Sequence, residues 1–177
     1  MKTLQKIRFP SDLLLLGTPI LIAIITRLYR ITETIRFRGD QGMDLMVIWH
    51  MEHMGHWPLV GPFLSLRDFY TPPTYYYVTW LLYHITQSVN GIVIGYFFMN
   101  IISLILLMKL AWHMGGKQLA CIVGGLFAIS INMIDHGRQF WQPFPMQLFI
   151  IISLLFLWRA YERKSLSSLW LFALNYM

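Results

Sequence analysis

Residues 69–108 read FYTPPTYYYVTWLLYHITQSVNGIVIGYFFMNIISLILLM, without one Lys, Arg, Asp or Glu. Two layouts compete for this stretch. Either two membrane spans meet at Asn90-Gly91, or a single span over 92–112 follows a helix lying in the membrane interface. The pattern of 74–90 favours the second. Val78, Leu81, Leu82, Ile85 and Val89 fall on one helical stripe, and Tyr76, Thr79, Tyr83, Thr86 and Asn90 on another. The segment is also rich in Tyr and Trp, which prefer the headgroup level.

The whole composition agrees with a membrane chain. Of 177 residues, 56% are hydrophobic and 12% charged, against about 25% charged in an average globular domain. Mean hydropathy is +0.54. The net charge is +6, but the basic residues stand in short clusters between apolar runs. That placement reports membrane orientation and argues against a nucleic-acid partner. Cys121 is the single cysteine, which excludes an internal disulfide and a multi-cysteine zinc site.

Working outward, a first span is expected over 12–31. Lys2, Lys6 and Arg8 precede its apolar run, and no small-x-small cleavage site follows, so an uncleaved helix is preferred to a signal peptide. Arg27 and Arg30 are expected to snorkel to the far headgroups. Residues 32–90 form an outer loop, with helical patterning over 43–55 and Asp40 placed as a helix N-cap. Further spans are expected over 118–134, where Gly124-Gly125 permits close helix contact, and over 145–161. An apolar helix starting at 166–177 stops short of the roughly 20 residues that a span needs, so a C-terminally truncated chain is expected.

Charge decides between the two layouts. A single span, at 92–112, with the N-terminus inside leaves Lys2, Lys6, Arg8, Lys109, Lys117, Arg159, Arg163 and Lys164 inside, and six basic residues outside; two spans leave only Lys2, Lys6, Arg8 and Arg138 inside. The positive-inside rule selects the first. The predicted fold class is therefore all-α: a multi-pass integral membrane protein with a cytoplasmic N-terminus and an outer first loop carrying juxtamembrane helices.

Under this topology three polar segments share the outer face: 36–44, 68–77 and 135–143. They bring carboxylates, guanidinium groups and aromatic rings together, a set that suits a phosphorylated sugar. Arginine grips phosphate oxygens as a fork, aromatic faces lie against sugar rings, and a carboxylate can take a proton from a hydroxyl. Blander roles exist for each: Asp40 as a cap, the arginines as headgroup anchors, Tyr75, Tyr76 and Tyr77 as an interfacial belt. His50, His53 and His56, spaced by three, fan across a helix and make a poor metal site.

The stretch Arg38-Gly39-Asp40-Gln41-Gly42-Met43-Asp44, followed by Gly55-His56-Trp57-Pro58-Leu59-Val60-Gly61-Pro62, resembles the first outer loop of the GT-C glycosyltransferases. The closer branch holds the dolichyl-phosphate-mannose protein mannosyltransferases (glycosyltransferase family 39) and bacterial enzymes that move sugars from polyprenyl phosphate. Tyr70-Thr71-Pro72-Pro73-Thr74-Tyr75-Tyr76-Tyr77 is similar to that branch's Pro-Pro-x-Tyr-Tyr segment, and Arg138-x-x-Trp141-x-Pro143 to its Arg-x-x-Trp-Asn-Pro loop.

The resemblance implies an N-terminal GT-C module in the plasma (inner) membrane of a bacterium. It implies inverting transfer from a polyprenyl-phosphate sugar to a protein, lipid or glycan hydroxyl on the outer face. Asp40 would be the catalytic base. Arg36, Arg38, Asp44, Tyr70, Tyr75, Arg138 and Trp141 would bind substrate, with Arg38 and Arg138 on the donor phosphate. Gln41 stands where the branch usually has Glu, and Gln142 where it often has Asn or Asp. No organic cofactor is implied, and a divalent metal is left open. The competing expectation is a non-catalytic membrane fragment, scaffold or subunit of a glycan-assembly or lipid-transport system.

Overall fold

The computed structural model describes residues 11–35, 39–63 and 69–176. Arg36, Arg38 and Asp68, all part of the expected outer site, lie outside these residues. Among the described residues the chain is all-helical, with a single isolated bridge between Phe63 and Tyr70. The helices are α1 (Ser11–Leu28), α2 (Gly39–Met54), α3 (Thr74–Thr86), α4 (Val89–Ile129), α5 (Ile131–His136), α6 (Pro143–Arg163) and α7 (Leu166–Tyr176).

α4 is two helices in one. Gly116 takes φ 81° and ψ −168°, a conformation open to glycine, and breaks it into limbs 89–115 and 117–129. The limbs fold back on each other, because a Cβ at Gly124 would stand 2.7 Å from the sulfur of Met108. In a straight helix those residues would be roughly 24 Å apart. α1 and α6 pack on α4, α7 packs on α6, and α2 packs on α3, which in turn leans on α4.

Two helices, α4 and α6, are long and apolar enough to cross a membrane, and α1 carries a shorter apolar stretch over Leu14–Leu28. The helices sit on the expected apolar runs with shifted ends. α1 stops at Leu28 rather than at residue 31. The run over 118–134 is broken at Ser130, whose extended backbone separates α4 from α5. α2 already includes Gly39, so Asp40 lies inside its first turn instead of capping it.

Against the pattern of a soluble domain, the bundle buries several polar groups beside its apolar core and leaves many apolar side chains exposed. Arg27, Gln41, Asp44, Thr79, Asn100, Ser103 and Ser153 are buried, whereas Ile94, Phe98, Ile102 and Ile105 of α4 and Ile150, Leu154 and Leu157 of α6 are exposed. α3 shows the same inversion. Its Tyr76 and Thr79 stripe faces the core, while Leu81 (50%) and Ile85 (69%) face out. An apolar surrounding suits that arrangement, since it leaves the polar groups only each other and the backbone as partners.

Two contacts between helices illustrate this. Pro19 has no N–H, so the Leu15 carbonyl one turn back loses its helical donor. The thiol of Cys121, in the facing limb, donates to that carbonyl at 3.4 Å. Arg27 does not snorkel as expected; it is 0% exposed. Its partners include carbonyls near the ends of two helices and the Asn100 side chain. Arg30 is exposed and pairs with Glu33.

Candidate functional site

The site starts at the first turns of α2. With i, i+4 spacing, Asp40 and Asp44 belong to one helix face, and the structure gives them different surroundings. Asp40 is exposed and opens on a small cleft of about 40 Å³ that it shares with Gln41, Gln139 and Trp141. Asp44 is 5% exposed and lies beneath, against α3.

Gln41 connects the start of α2 to the loop after α5. Its side chain is buried, and its Nε2 donates to the Phe140 carbonyl at 2.8 Å. Phe140 is itself fully buried. The loop that follows α5 is thereby fastened to the start of α2, which sets Trp141 beside Asp40. The residue type at 41 matters here: an ionised carboxylate has no proton to offer a carbonyl, and an amide has two.

Asp44 is held by tyrosines. The Tyr75 hydroxyl donates to its Oδ2 at 2.9 Å, and the Tyr76 hydroxyl stands near the same carboxylate. Burial pushes the Asp44 carboxyl above the usual aspartate range; the two hydroxyls oppose the shift, and the neighbouring Asp40 charge adds to it. Burial likewise raises both tyrosines, with further contributions from the facing Asp44 and, for Tyr75, from Tyr96. They stay protonated and act as donors. A chain of hydrogen bonds continues inward, because the Thr79 hydroxyl bonds to the Tyr75 carbonyl at 2.7 Å and to the Tyr96 hydroxyl at 2.8 Å.

The expected substrate-binding set is therefore only partly assembled. Trp141 lies at the cleft, 40% exposed, with its ring edge-on to Phe144. Tyr75, expected to meet substrate, is 5% exposed and fills the space between α2 and α3, so it leaves no ring face for a sugar. The interfacial-belt reading fails for Tyr75 and Tyr76 for the same reason. Tyr77 is half-buried and donates to the Pro58 carbonyl at 2.7 Å. Tyr70 is exposed and packs edge-on to Phe63, beside the bonds of Gly61 N to Thr71 O and Thr71 N to Pro62 O. That pairing requires glycine at 61, where a Cβ would stand 2.3 Å from the Pro72 carbonyl oxygen.

Arg138 was expected on the donor phosphate. Its Nη1 instead donates to the Thr26 carbonyl at 3.0 Å and its Nη2 to the Tyr29 carbonyl at 2.8 Å and the Thr34 hydroxyl. It caps the C-terminal end of α1, where the helix dipole favours a cation.

The Asp44 carboxylate is turned to two tyrosine hydroxyls, and no group of three His, Cys, Asp or Glu side chains converges among the described residues.

A second cluster lies further along α2 and was not anticipated. Glu52 accepts hydrogen bonds from Trp80 Nε1 (2.8 Å), His84 Nδ1 (3.0 Å) and Gln87 Nε2 (3.0 Å). Those bonds, from His84 first and then Gln87, hold its carboxyl below the usual range. Trp80 stacks on His84 and meets Trp57 edge-on. The only signal in the sequence was a lone Glu amid apolar and aromatic residues of 45–57. No family model, curated protein or solved structure matches this chain.

Proposed function

We propose that the chain is a multi-pass membrane glycosyltransferase module of GT-C type. It would transfer a sugar from a polyprenyl-phosphate donor to an acceptor hydroxyl on the outer face. The observation that carries the reading is the docking of the α2 start onto the loop after α5 through Gln41 and Phe140, which sets Asp40 and Trp141 at one cleft. The inverted burial of the bundle supports the membrane setting, and limb 89–115, about 40 Å long at 1.5 Å per residue, is sufficient for a hydrocarbon core of about 30 Å.

In this reading Asp40 takes the acceptor proton as its oxygen attacks the anomeric carbon. The lipid phosphate leaves from the opposite side, and the anomeric centre inverts. Trp141 offers its exposed face to a sugar ring. Arg38 keeps the role of countering charge on the departing phosphate, a role that the geometry of Arg138 does not favour. Asp44 supports the α2–α3 contact below Asp40.

One observation favours a second reading. A cleft of about 40 Å³ is far smaller than the several hundred Å³ typical of small-molecule sites. A non-catalytic scaffold or subunit of a glycan-assembly or lipid-transport system would need no larger space. The experiment that separates the two is transfer by the intact protein in liposomes, with a panel of radiolabelled undecaprenyl-phosphate hexoses and pentoses as donors. Release of undecaprenyl phosphate coupled to a labelled acceptor supports the enzyme; no turnover across the panel supports the scaffold.

A further inference from the structure

Two helix ends meet in this bundle, and each is capped by an arginine that belongs to the other side. The last carbonyls of α4 lack helical donors, as at any helix C-terminus. Arg27, on the last turn of α1, donates from Nη2 to Phe127 O and from Nη1 to Ala128 O, both at 3.2 Å. Its Nε is bound to Asn100 Oδ1 at 2.6 Å, and the guanidinium lies 5.5 Å from the Phe127 ring centroid. Among the described residues no carboxylate pairs with it; its charge faces the negative ends of the α1 and α4 dipoles. In return Arg138, two residues beyond α5, donates to Thr26 O and Tyr29 O at the end of α1.

Gly137 links the two arginines. A Cβ on it would lie 3.1 Å from Arg27 Cδ and 3.1 Å from the Asn100 amide carbon and oxygen. The turn before Arg138 therefore rests on the Arg27–Asn100 pair. The next residues of the same turn are Gln139, Phe140 and Trp141, which bond Gln41 or line the cleft with Asp40.

We propose that Arg27 and Arg138 are positioning residues that fix the 137–141 turn against the start of α2. Arg138 sets the cleft from behind, through Phe140 and Gln41, and does not grip a phosphate. The effect on catalysis rests on the cleft being the site of transfer; the placement of the turn does not.

The test is hydrogen–deuterium exchange of the intact protein in phosphatidylglycerol/phosphatidylcholine nanodiscs, paired with binding of undecaprenyl phosphate to the same samples. Arg138→Ala should speed exchange of the 137–141 amides and of the first turns of α2 about tenfold or more, since it removes all three hydrogen bonds of the guanidinium. Arg138→Lys can still donate to helix-end carbonyls. It should keep most of the protection and hold undecaprenyl phosphate affinity within about threefold of the parent, whereas a bidentate phosphate ligand would lose far more.

Unchanged protection of 137–141 in Arg138→Ala overturns the proposal. So does an Arg138→Lys protein with parental protection and lost undecaprenyl phosphate binding. Arg27→Ala removes a buried side chain and can fail to fold, so the Arg138 pair carries the decision. If the parent protein binds no undecaprenyl phosphate, the glycosyltransferase reading falls, and the exchange arms still decide whether the arginines position the turn.

Discussion

The side-chain amide of Gln41 donates to the main-chain carbonyl of Phe140 at 2.8 Å, across 99 residues of sequence. Gln41→Glu keeps the shape and turns the donor into an ionised acceptor facing a carbonyl. Both groups are buried, so the loss should be roughly 1–3 kcal/mol, the range for a buried polar group left without its partner. Thermal unfolding in detergent micelles should show a lower midpoint for Gln41→Glu. An equal or higher midpoint would mean that this bond does not hold the loop to α2.

The Asp44 pocket makes a prediction about pH. Burial raises the folded carboxyl above its ordinary value, so the folded protein binds this proton more tightly than the unfolded chain. The stability it contributes is complete below the ordinary aspartate range and falls as pH rises through the raised value. Glu52 has the opposite shift and sign, losing stability as pH falls through its depressed value. It is common to parent and variant and cancels in the difference between them. The stability of Asp44→Asn relative to the parent should therefore improve as pH rises through the window above the ordinary aspartate value. Tyr75→Phe should steepen the parent's fall, because it removes a hydrogen bond to the charged form. Midpoints measured across this range for the three proteins check the sign; a flat difference for Asp44→Asn contradicts it.

Membrane orientation is open to a labelling experiment that uses the Cys121–Leu15 contact. Cys121→Ser keeps a donor for the carbonyl that Pro19 leaves free, and so is a gentler background than Ala. Asn90 and Gln118 are both exposed, near opposite ends of limb 89–115. In intact cells an impermeant thiol reagent should label Asn90→Cys and spare Gln118→Cys. Equal labelling, or the reverse, contradicts the outer placement of the site.

The helical class and the positions of most helices were legible in the sequence, because charge-free apolar runs have few other stable forms. The Gly116 break fell in the short polar interval between two expected spans. Two residues of the expected site, Asp40 and Trp141, do share a cleft. What was not legible depends on contacts between distant residues. Arg27 looked like a headgroup anchor because its partner Asn100 is 73 residues away, inside an apolar run. Arg138 looked like a phosphate ligand because nothing in its neighbourhood announces that the end of α1 lies beside it. For α3 the period was readable and the facing was not. Tyr75 and Tyr76 turn inward because Asp44 gives their hydroxyls a partner, and Leu81 and Ile85 turn outward.

The central claim is that Asp40 removes the acceptor proton at an outer cleft. Asp40 is exposed at that cleft, in the first turn of α2, with its neighbour Gln41 fastened to the opposing loop. Asp40→Asn keeps size and hydrogen bonding and removes charge and basicity. The decisive measurement is transfer from the undecaprenyl-phosphate sugar that the parent consumes, by parent and Asp40→Asn proteins in matched liposomes, with folding checked by circular dichroism. The account expects a fall of about 10²-fold or more, the usual scale for losing a general base, in a protein that inserts and folds as the parent does. Near-parental transfer by Asp40→Asn would contradict it and leave Asp40 as a residue of the helix start.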